Sequence, residues 1–202
     1  MLNSNKTRSI LLAMLAFLGI ICQFYCSGPA AKAEEPAKKE LSKEEMVAKG
    51  DYLVTVGGCN HCHSPKAMTP MGPVPDTSKL LSGHPGGLPP ISYDATKPGS
   101  WVLMAPDLTA AVGPWGISFA ANLTPDSATG IGAWTKEVFI KTLRTGKHLG
   151  QEEGRPILPP MPWDDLAKMT DEDLGAIYAY LHSLPPVRNQ VPPPVPPTEV
   201  GK

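Results

Sequence analysis

The residues with the clearest chemistry lie at positions 59 to 63, where the sequence reads CNHCH. Two cysteines separated by two residues and followed at once by histidine form the C-x-x-C-H pattern, which is typical of c-type haem attachment. Thiols one helical turn apart can each add to a vinyl group on the same porphyrin edge, and the next histidine is then carried beneath the iron, where neutral imidazole is a good axial ligand. The spacing predicts one haem c, bound covalently through Cys59 and Cys62, with His63 as an axial iron ligand.

Other interpretations of this motif remain open. A structural zinc site would need about two further paired ligands, whereas the remaining cysteines, Cys22 and Cys26, lie in the N-terminal segment. A thioredoxin-like redox pair expects a strand-helix-strand context, but this motif follows an amphipathic helical pattern and precedes a proline-rich stretch. A chance match is the third alternative.

The second axial ligand of such an iron must come from elsewhere in the chain. The candidates are the methionines and histidines Met68, Met71, Met104, Met161, Met169, His61, His84, His148 and His182. Met161 is preferred, because prolines on both sides of it in ILPPMPW fix the backbone and present a thioether from a loop. Core filling, the usual role of methionine, is the alternative. Met169 and Met104 come next, and His182 is interpreted as a surface residue.

A helix is predicted immediately before the motif. Ser42 and Glu45 have the spacing of a capping box, in which each side chain accepts a hydrogen bond from the backbone of the other. The helix should run from about Lys43 to Val56 and end at the glycines 57–58.

Further helices are predicted in the second half of the chain. Thr135 is a candidate N-cap for a helix that ends at Gly146, and a short helical turn follows Pro162. Thr170 caps the last helix, whose apolar residues recur at i, i+3, i+4 and i+7. Two prolines, beginning with Pro185, end it.

Between these helices lies a stretch rich in proline and glycine, of which the whole chain has 24 and 19. No helical or alternating period survives there. A loop of roughly fifty residues is far above the usual length in a compact domain. Residues 66–116 are therefore interpreted as an insertion wrapped over one core, with short strands such as one around Ser100–Met104.

The two ends of the chain differ from the middle. Residues 1–33 have a basic start, an apolar run and a small-residue end, the layout of a secretory signal peptide. An uncleaved membrane anchor is the alternative, but the apolar run of roughly 13 residues is short of the roughly 20 that span a bilayer. Residues 34–41 are a flexible spacer. Residues 187–202 are expected to be a disordered, polyproline-like tail or a docking peptide.

Several stretches resemble the class I cytochrome c family, namely residues 50–59 (GDYLVTVGGC), 160–163 (PMPW) and 171–181 (DEDLGAIYAYL). Residues 122–134 (NLTPDSATGIGAW) are similar to the haem domains of cytochrome subunits that serve membrane-linked dehydrogenases. The resemblance covers roughly residues 43–70 and 117–187.

This resemblance implies an all-α, cytochrome c-like bundle around one haem, formed by residues 42–186, with the insertion between the first and later helices. First and last helices would cross near a haem crevice, with Tyr52 and Tyr178 close by and Gly50 permitting the approach. Asn122, Thr124 and Trp134 would line the haem, or else serve as turn and core residues.

Imidazole from His63 and thioether from Met161 would leave no open iron position, which describes an electron carrier rather than an enzyme. The expected partners are a protein electron donor and acceptor, such as a membrane-linked dehydrogenase or oxidase. The carrier would be exported, either periplasmic or anchored in the membrane and facing the periplasm. A net charge of −1 gives no basic face for nucleic acid. A haem enzyme or gas sensor with an open distal site is the alternative, and a binding module with a structural haem is a third.

Overall fold

The computed structural model describes residues 40–88 and 102–200. The predicted signal peptide and nearly all of the spacer lie outside the described residues, as do residues 89–101 of the insertion. In the described part, the helices are α1 (Lys43–Val56), α2 (Cys59–His63), α3 (Lys136–Thr145), α4 (Trp163–Leu166) and α5 (Asp171–Ser183).

The helices begin where the capping residues predict. The Ser42 hydroxyl accepts a hydrogen bond from the Glu45 amide at 3.1 Å, and the Glu45 carboxylate accepts one from the Ser42 amide at 2.7 Å. The Thr135 hydroxyl accepts from the Val138 amide at 3.3 Å at the start of α3, and the Thr170 hydroxyl accepts from the Asp173 amide at 3.1 Å at the start of α5. Each of these side chains satisfies a backbone N–H that has no partner within the helix. The predicted helices α1, α3 and α5 are therefore confirmed, and the short helical turn expected after Pro162 is present as α4.

The first and last helices cross at Gly50. A Cβ atom at this position would lie 2.0 Å from the Ala176 carbonyl oxygen and 2.6 Å from the Tyr180 Cβ, so only glycine allows this approach. The tyrosine at the crossing is Tyr180 and not Tyr178, and Tyr52 is 65% exposed. The close approach expected at Gly50 is confirmed. Of the two tyrosines expected near the crossing, Tyr178 donates its hydroxyl to the Trp134 carbonyl at 2.8 Å.

Gly50→Ala is expected to lower the free energy of unfolding by about 1–3 kcal/mol, because the helices must separate to accept the methyl group. The measurement is denaturant unfolding followed by circular dichroism. Gly175→Ala is the matched control within α5, because its Cβ would meet its nearest neighbour, the Met46 Cε, at an ordinary 3.5 Å. It should stabilise by about 0.5–1 kcal/mol through helix propensity. Equal effects of the two substitutions would contradict the close packing at Gly50.

The insertion and the residues directly after it form two antiparallel sheets, so the expectation of an all-α fold is corrected. Strand β1 (Lys66–Thr69) pairs with β2 (Gly72–Pro75). Strands β3 (Leu103–Met104), β4 (Ala110–Gly113) and β5 (Gly116–Phe119) form the second sheet in that order. Here the glycines and prolines punctuate hairpins. The described part of the strand predicted around residues 100–104 is β3.

The C-terminal tail is extended, as its prolines favour, but it differs from the disordered end that was expected. The Ile117 amide donates to the Val195 carbonyl at 2.8 Å and the Val195 amide donates back at 3.0 Å, so the tail pairs with β5. Farther upstream, Asn122 donates to the Val187 carbonyl at 2.8 Å. These bonds give the tail the partners that a free polyproline segment lacks.

The core is formed by the helices together with Leu81 and Ile131. Its buried members are Val54, Leu81, Ile131, Phe139, Leu143, Leu174, Ile177 and Leu181. Cys59 and Met161 pack against this cluster from positions about a hundred residues apart in sequence, which brings two predicted site residues to one core. Among the described helices, none is long and apolar enough to cross a membrane.

Candidate functional site

The C-x-x-C-H motif forms a single helical turn. Gly58, with φ of 68°, precedes α2, which carries both cysteines and His63. Both thiols are free and half-buried. Burial raises the pKa of Cys59 and of Cys62, so both are protonated thiols at neutral pH. The turn therefore presents two neighbouring thiols that are not joined to each other.

His63 is buried, with 8% of its surface exposed. Its Nδ1 lies 2.8 Å from the Ala121 carbonyl oxygen, and because a carbonyl can only accept, Nδ1 carries the proton. Burial lowers the pKa of His63, which keeps the ring neutral. Within the described residues Nε2 has no hydrogen-bond partner, so its lone pair is available to a metal, as in metal-binding histidines whose other nitrogen is held by a backbone carbonyl.

Neighbouring residues fix this turn through hydrogen bonds of both the backbone and the Ser64 side chain. The Gly83 amide donates to the His63 carbonyl at 2.7 Å. The fully buried Ser64 donates to the Asn60 side chain at 2.7 Å and accepts from the Leu81 amide at 2.8 Å. The C-x-x-C-H pattern does not predict the roles of Ser64 and Ala121. Ser64 lies outside the motif, and Ala121 contributes only its backbone carbonyl, which every residue has.

Lys66 closes the end of the same turn. Its ammonium group donates to the carbonyls of Asn60 and His61, at 3.3 and 2.8 Å, and also to that of Ser64. A cation at a helix C-terminus complements the carbonyl dipoles exposed there. Burial lowers the pKa of Lys66, although Asp107 and Cys62 oppose this.

Met161 is half-buried in the loop before α4. Its amide donates to the Leu158 carbonyl at 3.3 Å, and its carbonyl accepts from the Trp163 amide at 2.9 Å. Met169 packs against the same core. By contrast, Met68, Met71 and Met104 are 74%, 95% and 41% exposed. The two methionines that contact the core are thus the better placed of the methionine candidates.

The histidine candidates have other surroundings. His61 Nδ1 lies 3.1 Å from the Gly58 carbonyl oxygen on the surface. The buried His84 has Nδ1 2.7 Å from the Thr109 hydroxyl, and His148 packs edge-on against Trp134. His182 differs from the surface residue expected, because its ring lies 4.0 Å from that of Tyr178 and its Nε2 is buried.

Asn122 and Thr124 hold a turn. The Asn122 side-chain oxygen accepts from the Thr124 amide at 3.0 Å and from the Thr124 hydroxyl at 2.7 Å. Both residues are almost fully buried. These contacts favour the structural role that was one of the two interpretations from sequence.

The donor set fits a covalently bound haem. It consists of two free thiols on one helical turn, a neutral imidazole whose Nε2 has no partner among the described residues, and the Met161 thioether. Met161 and Cys59 each pack against the same core cluster. The usual axial ligands of c-type haem iron are an imidazole nitrogen and a thioether sulfur.

No family model matches the chain. It is 30% identical over 149 residues to the gluconate 2-dehydrogenase cytochrome c subunit of Pantoea cypripedii, which covers 73% of this chain and 25% of that protein. It is 29% identical over 157 residues to the cytochrome c subunit of the quinone-dependent alcohol dehydrogenase of Gluconobacter oxydans, covering 76% and 25%.

A third relative is the fructose dehydrogenase cytochrome subunit of Gluconobacter japonicus, 40% identical over 68 residues, which are 34% of this chain and 13% of the relative. The chain belongs to the cytochrome c family. Its relatives named here are cytochrome subunits of dehydrogenases, and the chain matches 25% or less of the length of each.

Proposed function

We propose that the protein carries electrons through a single haem c bound by Cys59 and Cys62, with His63 and Met161 as axial ligands. The observation that carries this proposal is the arrangement at His63. A buried, neutral imidazole has Nδ1 held by the Ala121 carbonyl and an Nε2 without a partner in the described part of the chain, directly after two free thiols on the same turn.

A bound haem supplies a one-electron couple between ferric and ferrous iron. The chain's own residues have three tasks. Cys59 and Cys62 tether the group, so a loop-rich chain retains it. His63 donates a lone pair of fixed orientation, since its ring cannot rotate without losing the bond to Ala121. Met161 closes the remaining position with a thioether, which raises the reduction potential relative to a second histidine.

The partner proposed as electron donor is a dehydrogenase, because the relatives are dehydrogenase cytochrome subunits by name. The chain would act either as such a subunit or as a separate carrier that passes electrons to a second redox protein. Brief redox encounters use small interfaces, typically below about 1,200 Å². The signal-like N-terminus supports export, with the protein periplasmic or anchored facing the periplasm.

The test is the absorption spectrum of the purified holoprotein, oxidised and reduced, with and without carbon monoxide. An electron carrier should be low-spin in both states, show the weak long-wavelength band of methionine bound to ferric haem, and ignore carbon monoxide. A stain for haem on a denaturing gel should remain with the polypeptide. High-spin iron and ready binding of carbon monoxide would contradict the proposal and favour an enzyme or sensor with an open site.

A further inference from the structure

Asn189, in the proline-rich tail, makes three side-chain hydrogen bonds to the distant loop at residues 82–86. Its side-chain nitrogen donates to the carbonyls of Ser82 and His84, at 2.7 and 2.9 Å. Its side-chain oxygen accepts from the Gly86 amide at 2.9 Å, and its own amide donates to the Thr129 hydroxyl at 3.0 Å. Both donors of the side-chain amide are used, so its orientation is fixed.

The loop that Asn189 holds is the one that braces His63. Gly83 lies between the two carbonyls bound by Asn189, and its amide donates to the His63 carbonyl at 2.7 Å. The His84 amide donates to the Ala120 carbonyl at 2.9 Å, next to the Ala121 carbonyl that accepts from the His63 ring. The loop therefore contacts His63 on its backbone and the peptide beside its ring partner.

The loop at Gly83 packs closely against the backbone of Ala120 and Ala121. A Cβ on Gly83, which has φ of +80°, would lie 2.6 Å from the Ala120 carbonyl oxygen and 2.7 Å from that of Ala121. From the tail side, the backbone of Asn189 also accepts from Asn122 at 3.4 Å. A displacement of the loop would thus reach the Ala121 carbonyl directly.

We propose that Asn189 is a positioning residue for His63, and that the tail segment carrying it straps the loop at residues 82–86 against the haem-attachment turn. This proposal rests on the proposed function in that His63 is an iron ligand. A carbonyl that accepts from Nδ1 makes the imidazole a stronger donor at Nε2, so the strap influences the reduction potential from outside the ligand set.

The experiment compares Asn189→Ala with Gln190→Ala, a matched amide in the same tail that is exposed and whose side chain has no hydrogen bond in the described structure. Hydrogen exchange is followed by NMR at the Gly83 amide and at the His63 ring N–H. Asn189→Ala should accelerate both by about tenfold or more, as expected when several hydrogen bonds are lost. Amides in α1 and α5 should be unchanged. The midpoint potential should become more positive, since the His63 bond to Ala121 loosens.

Equal exchange and equal potential in the two variants would overturn the proposal, and so would acceleration by one common factor throughout the protein, which is the result of a purely structural role. If Asn189→Ala does not fold, the wild-type protein supplies the test. There the amides of Asn189 and Gly83 should exchange through one opening event, with the same opening free energy. Exchange at Asn189 while the Gly83 amide stays protected would overturn the proposal. Amide exchange can be measured whether or not a haem is bound, so a wild type without haem contradicts the proposed function alone.

Discussion

Replacing Cys59 and Cys62 together by alanine is expected to leave the purified polypeptide with no covalently bound haem. Each thioether bond needs one thiol, and within the described residues these two are the only cysteines. The single variants should each retain one bond and a correspondingly less tightly held haem. Haem staining after denaturing electrophoresis, with intact mass by mass spectrometry, measures the outcome.

The histidines of the same turn provide the control. His63→Ala removes the buried imidazole and should leave the tethered iron high-spin. His61→Ala removes an exposed ring that, among the described residues, hydrogen-bonds only to the nearby Gly58 carbonyl, and it should leave the spectrum unchanged. Covalent haem in the double cysteine variant would contradict attachment at this motif. The same spectral change in both histidine variants would show that disturbance of the turn, and not loss of a ligand, is responsible.

The helices and the motif were predictable because their signals are local. A cap such as Ser42 acts within three residues of itself, and the C-x-x-C-H spacing describes one turn of helix. The tyrosine at the helix crossing was harder to predict. Residues 178 and 180 lie about 200° apart around the helix axis. An error of two positions therefore replaces the side chain that faces α1 with one on the opposite side of α5.

The sheets and the strap could not be predicted from pattern. Strands of two to four residues are too short to show an alternating pattern of apolar and polar residues. Nothing in the sequences of β3 and β4 indicates that these two strands pair with each other. Ala121 acts through its carbonyl, which every residue possesses. Asn189 is a polar residue among prolines, and only the folded chain brings it to Ser82 and His84.

Met161→Ala is expected to convert a closed iron site into an open one. Loss of the thioether should remove the long-wavelength band, allow carbon monoxide to bind the reduced protein, and lower the reduction potential. That decrease should be on the order of a hundred millivolts, a fraction of the range of about 0.8 V over which axial ligands set haem potentials. Absorption spectra and a redox titration measure these changes.

Met169→Ala is the matched control, because Met169 is also a half-buried methionine packed on the same core. Truncation of a buried methionine costs about 2–5 kcal/mol, and partial burial places both variants toward the lower end of that range. Similar losses of stability, with the spectral change confined to Met161→Ala, would separate ligation from packing. If Met169→Ala alone removed the band, the ligand would be Met169. If neither did, the iron would have a different second ligand, and His182, whose Nε2 is buried, would be the next residue to replace.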